Sequence, residues 1–305
     1  MTDFLDLLLA EDAGRADSMQ DGHDRSNVSD ALGDSGVSGA SDVPGAADAT
    51  GIIRAVAFEC LLNGMTDERA ASLLRILGFD GDFTCCAVAG CPAGSGNGAM
   101  ETVRRAIADI GGAEPLTGMR GETLVVLFRL QPAANPDPVC IAIADAFDGG
   151  TPLCLGPVRR GITGAAGSIQ AALTTLRALP ALRAFVEDSP ATRASEPPLL
   201  RAEEALPERA LLGDEDARRE LVDGVYASLL GQGEDDPTML TVSSFLESGG
   251  SLEVTARMLN VHPNTVRYRL KRMADTTGWD ATDPRDATVL TTAITLGRIA
   301  SAERH

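Results

Sequence analysis

The hydrophobic period changes along this chain, and that change restricts the fold more than any other feature. "FTCCAVA" (Phe83 to Ala89) and "TLVVLF" (Thr123 to Phe128) are short β-rich runs bounded by turn residues. "AMETVRRAIADIGG" (Ala99 to Gly112), "PVCIAIADAF" (Pro138 to Phe147) and "GSIQAALTTLRAL" (Gly167 to Leu179) have helical length and spacing. Strands interleaved with helices predict a sheet covered by helices. "LCLG" (Leu153 to Gly156) and "LLRA" (Leu199 to Ala202) complete that sheet. Beyond it the pattern is helical only, at Asp214 to Gly231 and Pro237 to Gly250. The expected fold class is therefore α+β, a sheet-and-helix domain followed by an all-α domain.

With 305 residues and 44% hydrophobic content, the chain can bury two cores. Residues 1–50 hold 11 acids against two arginines and read as a disordered acidic tail. Within it, Phe4, Leu5, Leu8 and Leu9 share a helical face, so the start of the chain is either a frayed terminus or a short partner-binding helix. Residues 51–80 suggest two helices, the second capped by Thr66 and stopped by Gly78. Residues 81–206 form the sheet domain, with a mobile loop insertion at 187–198 where Pro190, Pro197 and Pro198 stop any helix. Residues 207–305 supply a helical connector and a terminal helical domain.

No apolar run is long enough to span a membrane, and the N-terminal apolar residues carry acids where a secretory signal carries bases. The expected location is the cytoplasm. The six cysteines form no CxxC pair, which fits reduced thiols in core positions.

Net charge is -18, yet "ARMLNVHPNTVRYRLKRM" (Ala256 to Met273) carries five cations, and no acid occurs from Val254 through Ala274. One of the five is Lys271, the only lysine beside 25 arginines. The layout is that of a helix-turn-helix. Ser251 caps a first helix whose Leu252, Thr255, Ala256 and Leu259 face inward. Asn260 occupies a turn that favours a left-handed residue, Val261 returns to the core, and Pro263 opens the second helix. Val266, Leu270 and Met273 recur at i, i+4 and i+7 and set its buried face. The opposite face carries Asn264, Tyr268, Lys271 and Arg272, flanked by Thr265, Arg267 and Arg269. A merely solvated helix would interleave its cations with acids, and the stretch from Val254 through Ala274 supplies none. Arg can bond guanine bidentately, Asn can bond adenine, and Lys or Arg can neutralise phosphates, so double-stranded DNA is the partner these residues imply.

Ser248 to Ile299 resembles the C-terminal helix-turn-helix of PucR/CdaR-type transcriptional regulators, itself similar to the Fis DNA-binding unit. "VHPNTVRYRLKRM" is close to that family's most characteristic run, continued by Gly278, Asp280, Asp283, Pro284 and Asp286. "RELVDGVYASLL" and "LPERALLGD" resemble the family's connecting helices. The resemblance implies base contacts at His262, Asn264, Thr265, Arg267 and Tyr268, with Arg269, Lys271 and Arg272 completing the DNA-binding set. His262 reads equally well as a helix cap.

Gly81 to Leu206 resembles the GGDEF-like domain of these regulators, most clearly in "LCLGPVRRGITGAAGSIQAALTTLRAL". A cyclase of that fold needs a Gly-Gly turn and carboxylates for two metals. "MRGETLVVLF" offers only Gly121 and Glu122, and Asp82 stands just outside the first strand, so no catalytic, metal or cofactor site is expected. "GSGNG" (Gly94 to Gly98) lacks the Lys-Ser/Thr of a phosphate loop and is expected to be an ordinary loop. His23, His262 and His305 are too scattered for a histidine-based site.

The implied function is sequence-specific DNA-binding transcriptional regulation, by a homodimer with a small-molecule effector in prospect. The alternative is a metabolite- or nucleotide-sensing protein that uses the degenerate GGDEF-like domain. After Trp279, Asp283 and Pro284 should open a helix to about Ala300. Its stripe of Val289, Leu290, Ala293, Leu296 and Ile299 should pack partly on Trp279 and partly on a second subunit.

Overall fold

A computed structural model describes residues 46–188, 198–230 and 237–303. The acidic tail up to residue 45, with its Phe4–Leu9 stripe, and residues 189–197 of the expected insertion lie outside the described residues.

Two helices come first, α1 (Ala46–Leu62) and α2 (Glu68–Ile76). The sheet follows as β1 (Thr84–Gly90), β2 (Leu116–Arg120), β3 (Thr123–Leu130), β4 (Leu153–Leu155), β5 (Arg159–Arg160) and β6 (Leu199–Arg201). Between the strands lie α3 (Gly96–Asp109), α4 (Asp137–Ala142) and the long α5 (Gly161–Asp188). The strand order is β2-β3-β1-β4-β6, with β5 also on β1, and only the β4–β6 pairing is parallel.

From Cys85 onward β1 is apolar and buried because helices cover both of its faces, the usual cause of a strand without alternation. Cys85, Ala87 and Ala89 share one face with Val125 and Leu127, under α1, α2 and α5. Cys86 and Val88 share the other with Leu124, Val126 and Phe128, under α3 and α4. The register Ala87↔Leu127 and Val88↔Val126 brings these sets together. Each fully buried Val, Leu or Phe among them contributes about 1.5–3 kcal/mol of transfer free energy.

The small side chains on the first face allow α5 to approach closely. Ala87 N lies between the β4 and β5 pairings, and Ser168 Oγ of α5 accepts its hydrogen bond at 2.9 Å. A buried donor that the ladder leaves open is thereby satisfied.

The rest is helical: α6 (Leu206–Leu211), α7 (Glu215–Arg219), a π-helical segment (Glu220–Tyr226), α8 (Ala227–Leu229), α9 (Thr238–Glu247), α10 (Leu252–Met258), α11 (Pro263–Thr277) and α12 (Pro284–Glu303). Leu221, Val225, Val242, Phe245, Val266, Leu270, Val289 and Leu290 form its core. Gly297 of α12 lies against Tyr226 so closely that a Cβ there would come within 2.1 Å of the ring.

Several local expectations are corrected. Asp67, not Thr66, caps α2, its carboxylate accepting from Ala70 N at 3.0 Å from an extended backbone. The first helix begins at Ala46, inside the stretch assigned to the tail. Gly96 to Gly98 form the first turn of α3 rather than a loop, because Ser95 caps Gly98 N. The helix expected over Pro138 to Phe147 ends at Ala142, gives way to a short 3-10 turn, and leaves Phe147 extended in a bridge to Pro92. The helix expected to stop at Leu179 continues through Pro180 to Asp188. Ala178 and Leu182, on either side of that proline, bury against Cys154 and Leu200, and this packing outweighs the hydrogen bond a proline removes. Val289, Leu290 and Ala293 of α12 are buried and Trp279 and Leu296 partly so, but Ile299 is exposed.

Candidate nucleic-acid interface

The interface is built on α10 and α11. Ser251 Oγ accepts from Val254 N at 3.3 Å and starts α10. Ser248 Oγ accepts from Ser251 N at 3.1 Å, and Thr255 Oγ1 donates to Ser251 O at 2.8 Å, so the turn before α10 is tied to its first turn. Neither Ser248 nor the buried Thr255 hydroxyl was singled out from sequence as a fastener, although an S-x-x-S-x-x-x-T spacing carries the signal.

Asn260 has φ 52° and makes the left-handed turn. Behind it, Val261 N donates to Ala256 O at 2.9 Å and brings the chain back to the core. His262 is extended, and its Nδ1 accepts from Asn264 N at 3.2 Å. It therefore caps α11, while its side chain stays at the exposed N-terminal end. Pro263 follows at the first helical position, where no N–H is needed.

Val266, Leu270 and Met273 are 0%, 4% and 2% exposed, which locks the rotation of α11 and turns the cationic face to solvent. His262, Asn264, Arg267, Tyr268, Lys271 and Arg272 are exposed, with Tyr268 at 65%. Arg267 Nη1 donates to Asn264 Oδ1 at 2.8 Å, placing a guanidinium and a carboxamide side by side. Thr265 and Arg269 are partly buried at the edge of this face. Arg269 Nη1 leans to Thr241 Oγ1 of α9 at 3.4 Å, a long bond that ties α11 to its neighbour. Gly278, at φ 80°, ends the helix. An exposed face of this kind can bond base edges and neutralise phosphates.

Comparison with known proteins agrees with this geometry. Residues 238–296 match the model of the PucR C-terminal helix-turn-helix domain, and residues 63–178 match that of the GGDEF-like domain. The crystal structure of a regulator of polyketide synthase expression from Bifidobacterium adolescentis is 51% identical, with a TM-score of 0.74, over 81% of this chain and 93% of that one. The chain belongs to the PucR family of transcriptional regulators. Uncharacterised proteins of Mycobacterium bovis and Mycobacterium tuberculosis are 35% identical over 260 residues, 81% of this chain. The chain spans 58% of the length of these mycobacterial relatives.

In this PucR-family chain, the GGDEF-like domain has Gly121 at φ 61° in the β2–β3 turn. Met119 fills the space beside Gly96, leaving a Cβ there only 2.9 Å from its sulfur. The start of α3 is thus closed by a side chain on the strand before the turn. Among the described residues, no group of three or more His, Cys, Asp or Glu side chains is placed to hold a metal. Burial pushes the Cys85 and Cys140 thiols up to about 12, so these cysteines stay protonated and unreactive. No helix of the described residues is long and apolar enough to cross a membrane.

A cleft of about 380 Å³ opens where β5 meets the connector, lined by Arg159, Glu203, Asp216, Arg219, Glu220 and Asp223. Burial, then the neighbouring Glu203, raises the Glu220 carboxyl above the ordinary carboxylate range. Sequence patterns missed this group, since its members come from three segments. They also missed the buried Arg209–Asp214 pair, which joins α6 to α7 at 2.9 Å.

Proposed function

We propose that this chain regulates transcription by reading specific DNA sequence in the major groove with α11, acting as a cytoplasmic homodimer. One observation carries the reading: a helix buried on Val266, Leu270 and Met273 presents to solvent an exposed cationic face with no acid before Asp275. His262, Asn264, Thr265, Arg267 and Tyr268 meet base edges in this reading, Lys271 and Arg272 meet phosphates, and Arg269 holds the edge of the face. Dimerisation places two reading helices on half-sites about one helical turn apart. The GGDEF-like domain performs no catalysis in this reading. The blocked α3 start and the lone Gly121 and Glu122 of its hairpin support that assignment.

The test is selection of duplexes from fragmented genomic DNA by the full chain, followed by a polarisation titration across salt. Log affinity should fall with log salt at about 0.9 per phosphate neutralised. No enriched sequence, or a flat salt response, rejects the reading.

The charged cleft supports a second, compatible reading in which a small-molecule effector binds beside the GGDEF-like domain. Calorimetric titration with zwitterionic and amine-bearing small molecules tests it, and absence of heat with every class counts against it.

A further inference from the structure

The first turn of α12 is joined to connector helix α6 and to the end of the sheet domain by directional contacts as well as by chain continuity. Arg285, in the first turn of α12, donates from Nη1 to Glu208 Oε1 and from Nη2 to Glu208 Oε2, both at 2.6 Å. The two side chains of this fork are only 15% and 16% exposed. Arg285 Nε also donates to the Glu204 carbonyl at 3.1 Å, and Nη2 reaches the same oxygen. Glu204 is held from the opposite side, because its carboxylate accepts from Arg201 N at 2.8 Å. The Arg201 guanidinium in turn pairs with Asp137 at the start of α4. Charged contacts therefore run from α4, through the last strand of the sheet, to the first turn of α12.

On its other side, that first turn is tied to the segment that leaves the recognition helix, where Trp279 N donates to Thr277 Oγ1 of α11 at 3.2 Å. Asp280 N donates to Asp286 Oδ2 at 2.9 Å, and Asp283 Oδ1 accepts from Arg285 N at 2.8 Å and Asp286 N at 3.0 Å. Asp280 Oδ1 accepts from Thr282 N at 2.8 Å and from its hydroxyl at 2.7 Å. The segment between Gly278 and Asp286 thus has little freedom of its own. These bonds connect Arg285 to the C-terminal end of α11.

Stability alone does not explain such a pair, since a well-packed apolar pair at a desolvated site is often as stable as an ion pair. Two parallel N–H···O bonds add direction, fixing rotation as well as distance. We propose that the Arg285–Glu208 pair, seated on the Glu204 carbonyl, is a positioning clamp. It sets the angle of the recognition helix against the sheet domain and carries changes at β6 to the DNA-reading face. The functional half of this inference rests on the DNA-reading role proposed above.

The experiment is a charge-exchange cycle in the full chain: Arg285→Glu, Glu208→Arg and the two together. Hydrogen–deuterium exchange without DNA reads the clamp directly. Polarisation reads binding to a duplex selected by the wild-type protein and to a random duplex. Each single variant should exchange faster at both 199–211 and 278–290, and lose about tenfold in affinity for the selected duplex with little change for the random one. The double variant should recover most of both losses, the mark of direct coupling. Singles that exchange and bind as wild type overturn the clamp, and so does a double as impaired as the worse single. Should the singles not fold, Arg285→Lys decides, since it keeps the charge and loses the fork; wild-type exchange and binding in that variant overturn the clamp. If the wild-type chain selects no duplex, the DNA-reading role falls, while the exchange measurements still decide the clamp.

Discussion

The sheet-bearing part of the chain and the recognition helix treat their cations in opposite ways. In the sheet domain Arg54, Arg104, Arg160 and Arg201 each pair with a carboxylate, of Glu114, Glu101, Asp82 and Asp137 respectively. On α11, Arg267, Lys271 and Arg272 form no ion pair among the described residues, although the chain as a whole is strongly acidic. A cation satisfied within the fold contributes to structure. One left exposed and outside any ion pair keeps its field for a polyanion outside. The contrast separates cations that hold the fold together from those that one helix face offers to solvent.

Phe128→Ala should have the largest effect. The ring is 1% exposed on the α3 side of the sheet, and its loss should lower stability by about 3–5 kcal/mol in a denaturant titration. The folded fraction should still bind DNA with wild-type affinity, because the change lies in the other domain. A parallel loss of affinity in fully folded protein would break the separation.

Arg267→Ala reverses that pattern. It should cost about 1–3 kcal/mol at the selected site and relax discrimination at one base, while the denaturation midpoint stays in place. Unchanged affinity for selected and random duplexes alike would remove Arg267 from the interface.

The turn gives a smaller, purely local effect. Asn260 holds φ 52°, so Asn260→Ala should cost about 1–2 kcal/mol of stability, whereas Asn260→Gly should be tolerated. Thermal unfolding of the two variants side by side checks this, and an Ala variant as stable as the Gly variant would contradict the strained turn.

The smallest effect belongs to the junction. Because burial and Glu203 raise the Glu220 carboxyl, ionising it at neutral pH opposes folding. This group therefore favours the folded state fully below its unfolded pKa, and that contribution is lost as pH rises through the folded one. Glu220→Gln should slightly raise Tm at pH 7, with the advantage shrinking to nothing once pH falls below the ordinary carboxylate range. A Gln variant that melts earlier than wild type at pH 7 would mean the carboxylate is held by a favourable partner.

Much of the reading unit was legible because its determinants are local. The Ser251 cap, the left-handed Asn260, Pro263 at a helix start and the Val266–Leu270–Met273 spacing each express a constraint within a few residues of chain. Both strands β1 and β3 were legible for the same reason, as apolar runs too short and too β-branched for helices. The errors arose where a distant contact overrode a local rule. The helical run read to Leu179 is followed by Pro180, yet Ala178 and Leu182 have a sheet edge to bury against and the helix continues.

By itself, then, the sequence determined the main helices and the two central strands, which face of α11 is buried, and that a cationic surface results. Periodicity, caps and turn residues act over one or two turns of chain, and their physics needs no partner. Only the tertiary structure decided that Ser168 completes the hydrogen bonding of β1 from 81 residues away, that Gly297 receives the ring of Tyr226, and that Arg285 meets Glu208 across 77 residues. Such pairs are chosen by how whole elements pack, and a glycine, a serine or an arginine carries no local mark of the group it will meet.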